Sequence, residues 1–194
     1  MSLSHARLLR RGRLLEVGTL GWNVVGLVVL VLAAVGAGSV ALAGFGLDSL
    51  IEIGASTVVL WELSGVGEER RHRALRLIGI AFVLLAVYLA VQSAAVLITG
   101  HHPRPSPLGI YWTAATAVVM FGLAAGKRRT GQQLSNPVLI TEGRVTTVDG
   151  LLAVAVLVGL ALNDLLGWWW ADPVSALVIV YYAAREVREI FTSS

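Results

Sequence analysis

The amino-acid sequence predicts an all-α integral membrane protein, a bundle of six transmembrane helices with both termini in the cytoplasm. Its composition is the first indication: 56% of the residues are hydrophobic and 14% are charged, whereas a soluble domain has roughly 25% charged residues. The second is that Lys and Arg fall in short clusters between long apolar runs. In polytopic membrane proteins such clusters lie in cytoplasmic loops.

The first two spans are predicted at residues 18–35 and 40–63, after a basic cytoplasmic N-terminal segment at residues 1–16. A basic start followed by an apolar run also resembles a secretory signal peptide. The first apolar run is longer than the roughly 7–15 residues of a signal peptide's apolar region. A transmembrane helix is therefore favoured.

The remaining spans are predicted at residues 77–99, 108–125, 142–163 and 173–190, within one transmembrane domain of residues 17–191. The fifth span is the least regular. Its clean apolar run, residues 150–162, is too short to cross about 30 Å of hydrocarbon at about 1.5 Å per residue. The fifth helix must therefore begin near Glu142 or before it, which places Asp149 within the membrane. No soluble C-terminal domain is expected.

Charge and proline define the connections between these spans. Residues 68–76 and 127–129 are basic clusters and are predicted to be cytoplasmic loops, while the prolines of residues 101–107 predict an outer loop. Asp172 followed by Pro173 is typical of a helix start, with a capping side chain and a proline in the first turn.

Three acidic residues lie well away from the ends of the predicted spans. Asp48 and Glu52 are four residues apart, so a helix places both on one face. At 1.5 Å per residue, Asp48, Glu52 and Asp149 lie roughly 14, 20 and 21 Å from the outer ends of their helices. A charge at the bilayer centre costs at least about 2.5–3.5 kcal/mol, so each acid needs a partner or a cavity. Because neighbouring carboxylates repel one another unless protons or a multivalent cation neutralise them, the three acids predict a metal-cation site.

Two further residues are candidate accessory ligands. Asn23 of the first helix offers an amide oxygen, or alternatively a hydrogen bond to a neighbouring helix. Glu142 lies two turns from Asp149 on nearly the same face, or alternatively pairs with Arg144. The chain has no cysteine, so a metal must be held by oxygen or imidazole ligands.

Other functional classes are disfavoured. The sequence has no H-E-x-x-H motif, nucleophile elbow or glycine-rich phosphate loop, so we expect no enzyme, no catalytic residue and no bound cofactor. The net charge of +3 does not indicate nucleic-acid binding, because the basic residues alternate with apolar runs. The expected partners are the lipid bilayer, a divalent cation and protons.

These features resemble the transmembrane domain of the cation diffusion facilitator family over about residues 15–190. That family joins D-x-x-x-D on the second helix to H-x-x-x-D on the fifth. Here the first motif is similar to Asp48-x-x-x-Glu52, and Asp149 matches the acid of the second, but Val145 occupies the histidine position. Many members carry a cytoplasmic metal-binding domain after the sixth helix. This chain ends at Ser194 and is more similar to the short branch related to transmembrane protein 163.

The resemblance implies a homodimeric exporter that exchanges a divalent metal cation for protons at Asp48, Glu52 and Asp149. Zn²⁺ is implied as the transported substrate, while the loss of an imidazole at Val145 favours harder ions such as Mn²⁺, with Fe²⁺ and Co²⁺ as further candidates. We expect a multi-pass protein of the bacterial inner (plasma) membrane. A non-transporting metal-binding or regulatory membrane protein and a carboxylate-lined cation channel stay open as alternatives.

Overall fold

The computed structural model describes residues 3–63 and 68–192, and the regular secondary structure in these ranges is helical. The described elements are α1 (Leu3–Ala37), α2 (Val40–Leu63), α3 (Glu68–Thr99), α4 (Pro107–Leu134), α5 (Pro137–Leu166) and α6 (Ala171–Thr192). The prediction of an all-α fold is confirmed.

Among the described residues, four helical segments are long and apolar enough to cross a membrane: Ala6–Ala37, Gly79–Thr99, Pro107–Leu134 and Leu139–Leu166. The protein is therefore a multi-pass membrane protein. The other two helices, α2 and α6, have 24 and 22 residues. At 1.5 Å per residue both exceed the roughly 30 Å thickness of a bilayer's hydrocarbon core.

The two predicted loops with basic clusters are helical instead. Residues 68–76 form the first turns of α3, and residues 127–129 belong to α4, which continues to Leu134. The loop prediction was wrong because a cluster of charges marks the edge of the hydrocarbon and does not by itself end a helix. Lys, Arg and Glu are all good helix formers.

Helix α2 is central to the bundle, because it contacts α1, α3, α5 and α6. Helix α4 packs most extensively on α5, and α3 on α6. Gly44 allows the close approach of α2 to its neighbours: a Cβ atom there would lie 2.7 Å from Leu89 Cδ2 and 3.3 Å from Ile179 Cδ1. Small residues let transmembrane helices approach in this way.

At one end of the bundle, here called the Ser39 end, hydrogen bonds link helix ends to the segment that connects α3 and α4. The backbone N–H of Arg104 donates to the carbonyl of Ala37 at 2.8 Å. The Asn163 side chain donates to the carbonyl of Pro103 at 3.0 Å. These contacts bring the ends of α1 and α5 to one level, beside the connection between α3 and α4.

Asp172 also lies at the Ser39 end, and its role differs from the predicted cap of the sixth helix. Helix α6 already begins at Ala171, and the Asp172 carboxylate accepts hydrogen bonds from the Ser39 hydroxyl and from the backbone N–H groups of Val40 (2.9 Å) and Ala41 (3.4 Å). Asp172 therefore caps α2. The physical reason is that the first N–H groups of α2 lack intrahelical partners and carry partial positive charge.

Candidate metal centre

The three predicted ligands lie on two helices that are in contact. Helix α2 positions Asp48 and Glu52, and α5 positions Asp149. Asp48 and Asp149 are 5% and 6% exposed, while Glu52 is half-buried. Two acids are thus removed from solvent within the bundle itself, where a carboxylate needs compensation.

The hydrogen bonds at the Ser39 end fix a common level from which depth can be counted. From Val40, Asp48 and Glu52 lie roughly 12 and 18 Å along α2, and from Asn163, Asp149 lies roughly 21 Å along α5. By this count the three acids occupy a similar depth.

The carboxyl groups also act on one another. Glu52 is repelled by both Asp149 and Asp48, and Asp149 is repelled by Asp48. Within the described residues, however, no group of three or more His, Asp or Glu side chains is arranged closely enough to hold a metal ion. The acids of α2 and α5 share one buried region without forming a closed metal cage, and their assignment as ligands stays a prediction.

Two buried polar atoms in this depth range have no hydrogen-bond partner among the described residues: Oδ2 of Asp149 and Nδ2 of Asn23. Leaving a buried polar atom unpaired costs about 1–3 kcal/mol. The Asp149 oxygen is suited to accept a cation. The Asn23 nitrogen is a donor, which suits a carboxylate and not a metal ion.

Lys127 is a charged residue near the site that the sequence reasoning placed in a loop. Its side chain is fully buried, Nζ donates to Oε2 of Glu16 at 2.9 Å, and it lies 3.7 Å from Oε2 of Glu142. Glu142 thus pairs with Lys127 of α4, and not with Arg144 as the alternative to a ligand role had it. These three residues, here called the Lys127 triad, join α1, α4 and α5.

Helical periodicity is the signal that could have located Lys127. The buried face of α4 includes Thr113, Ala117, Met120 and Ala124, and Lys127 continues the same three- and four-residue spacing. Because Lys127 belongs to a basic cluster, it was assigned to a loop and this helical spacing was overlooked.

Glu186 of α6 is a second charged residue missed in the prediction of the site. It repels Asp48, Glu52 and Asp149. Counted from Asp172, which is bonded to the start of α2, Glu186 lies roughly 21 Å along α6, close to the depth of Glu52 and Asp149. The acidic region therefore extends from α2 and α5 to α6.

A family model for the cation efflux transmembrane domain matches residues 76–194, which is more than half of the chain. The chain belongs to the cation efflux family. The match confirms the resemblance found in the sequence. It shows that the chain is a membrane protein of a family that transports cations. It covers α3 from Arg76 to α6 and includes Asp149, whereas Asp48 and Glu52 precede the matched residues.

Proposed function

We propose that this cation efflux protein exports a divalent metal cation in exchange for protons, with Asp48, Glu52 and Asp149 as the ligands. The observation that carries the proposal is that α2 and α5 bring mutually repelling carboxyl groups into one buried region, where an oxygen of Asp149 lacks a partner. A divalent ion would neutralise this repulsion and occupy the open oxygen.

Proton coupling follows from the same charges. Buried carboxylates in one region need either protons or a metal ion for neutralisation. Binding of the ion releases protons, and reprotonation releases the ion. Rocking of helix groups around such a site would expose it to each side in turn.

The choice of ion depends on the ligand atoms. Zn²⁺ is favoured by the family resemblance, but Val145, one turn before Asp149 in α5, supplies no ligand atom. An all-oxygen site accepts Mn²⁺ more readily than a site with imidazole, and Fe²⁺ and Co²⁺ are also candidates.

The direction of export rests on the positive-inside rule. Basic clusters lie near residues 7–13, 70–76 and 127–129, at the end of the bundle opposite Ser39. We therefore propose that the protein lies in a bacterial inner membrane, with the end opposite Ser39 and both termini in the cytoplasm and the Ser39 end outside. A homodimer is proposed from the family resemblance.

The test is uptake of Zn²⁺ and Mn²⁺ into vesicles that contain the purified protein and carry an imposed pH difference. Asp149→Asn should lower uptake about a hundredfold or more, because metal sites typically lose about 10–100-fold in affinity or activity when only a residue that orients a ligand is changed. Asp164→Asn, the same change at an exposed residue of α5, is the matched control.

The other outcomes separate the remaining functions. Metal binding without uptake would replace the exporter by a metal-binding or regulatory membrane protein. Uptake that ignores the pH difference but still requires Asp149 would indicate a carboxylate-lined channel. Uptake unchanged by Asp149→Asn would remove Asp149 from the site.

A further inference from the structure

Among the buried polar side chains in the described part of the chain, Lys127 is the only cation. Its ammonium group is held by carboxylates from two other helices, at 2.9 Å by Glu16 of α1 and at 3.7 Å by Glu142 of α5. An ammonium group has three donors and a compact charge. The described contacts thus leave capacity for another carboxylate.

The Lys127 triad lies on the cytoplasmic side of the candidate site. Glu16, Lys127 and Glu142 are each roughly 30 Å along their helices from the Ser39 end, whereas Asp149 is roughly 21 Å from it. The ammonium group is therefore within about 10 Å of the level of Asp149.

Lys127 also attracts the carboxyl group of Asp149. Because the ammonium group is fully buried, salt and water screen this attraction little. A metal ion at Asp149 would meet repulsion from the same ammonium group. Lys127 lies 3.7 Å from Glu142, which is two turns from Asp149 on nearly the same face of α5, so its charge bears on how tightly an ion can bind.

We propose that Lys127 is a tethered counter-cation that competes with the transported metal ion for Asp149 and weakens metal binding enough to permit release. Glu16 is a positioning residue in this arrangement, because its short ion pair fixes the ammonium group within the triad. This inference rests on the proposed metal site. It adds a residue that sets affinity without coordinating the ion.

The test is the dissociation constant for Zn²⁺ and Mn²⁺, measured on the full chain in lipid nanodiscs, together with uptake in vesicles. Removal of the charge in Lys127→Met should tighten metal binding about tenfold and slow uptake, because the like-charge repulsion of the ion is lost. Lys127→Arg keeps the charge and should keep the affinity within about threefold.

The opposite shift is expected when Lys127 is released towards the site. Glu16→Gln removes its closest partner, so the ammonium group competes more strongly for Asp149 and metal binding should weaken about threefold or more. A purely structural role of the triad would weaken binding, or leave it unchanged, in both variants. Tightening in one and weakening in the other is specific to a counter-cation.

Each result supports or overturns the inference. Equal or weaker metal binding by folded Lys127→Met overturns it. If Lys127→Met does not fold, Lys127→Gln, which is neutral but keeps a polar side chain, takes its place: tighter metal binding supports a counter-cation, and equal or weaker binding overturns it.

Asp149→Asn, measured in the same series, separates this inference from the proposed function. If Asp149→Asn binds metal as the wild type does, both the proposed metal site and the proposed role of Lys127 are wrong. If Asp149→Asn loses metal binding while Lys127→Met does not bind metal more tightly, the proposed site is supported and the proposed role of Lys127 is wrong.

Discussion

The two ends of the bundle stabilise buried charges in different ways. At the Ser39 end, the carboxylate of Asp172 accepts hydrogen bonds from a hydroxyl and from the N-terminal backbone of α2. At the opposite end, the ammonium group of Lys127 is shared between Glu16 and Glu142. Backbone donors hold one fixed geometry, whereas a flexible lysine can exchange partners. The comparison suggests a fixed cap at one end and an adjustable ion pair at the other.

The largest loss of stability is expected at the adjustable end. Lys127→Ala leaves two buried carboxylates without their shared cation, and loss of one partner from a buried ion pair costs about 3–5 kcal/mol. Thermal unfolding in detergent would show this against Arg129→Ala, an exposed residue of the same helix. Equal stability of the two variants would mean that the triad contributes little.

A smaller loss is expected at the fixed end. Asp172→Ala removes the cap of α2 and leaves the Ser39 hydroxyl and two backbone N–H groups without an acceptor, which should cost about 2–3 kcal/mol. Asp164→Ala, at an exposed position near the same end, is the control and should unfold as the wild type does. A cap that acts only on α6 would predict a smaller effect, because its removal would leave the α2 donors paired.

The two ion pairs of Lys127 should also differ in strength. The distance to Glu16 is 2.9 Å and the distance to Glu142 is 3.7 Å. Only the shorter one is a good hydrogen bond, so Glu16→Gln should destabilise the protein by about 1 kcal/mol more than Glu142→Gln. The same unfolding measurement checks the order, and a reversed order would show that Glu142 is the main partner.

The smallest effect is expected between the two ends, where α1 meets α4. Trp22 donates from Nε1 to Oγ1 of Thr116 at 3.1 Å and stacks on Trp112 with ring centroids 4.8 Å apart. Trp22→Phe keeps an aromatic ring but removes the donor, which should cost about 1 kcal/mol. A loss above about 3 kcal/mol would mean that the stack, and not the hydrogen bond, dominates this contact.

The helices could be predicted from the sequence because they depend on local quantities, and the expected depth of the acids rests on the same quantities. Apolar length sets the number of helices, and a constant rise per residue sets the levels of Asp48, Glu52 and Asp149. The basic clusters also indicated where the apolar spans leave the hydrocarbon region.

The remaining features depend on partners far away in the chain. Asp172 was assigned to its own helix because nothing local identifies the N-terminus of α2, more than 130 residues earlier, as its partner. Lys127 was assigned to a loop because its burial arises from packing among α1, α4 and α5. Glu186 was missed for the same reason, since only the packed bundle brings α6 near the acids of α2 and α5.

The central claim is that acids of α2 and α5 hold a single ion. The most direct measurement is a double-mutant cycle of metal affinity with Asp48→Asn, Asp149→Asn and the combined variant. A shared site predicts that the combined loss is clearly smaller than the sum of the two single losses, because each change already breaks the same site. Fully additive losses, or a single variant with wild-type affinity, would show that the two acids do not share one ion.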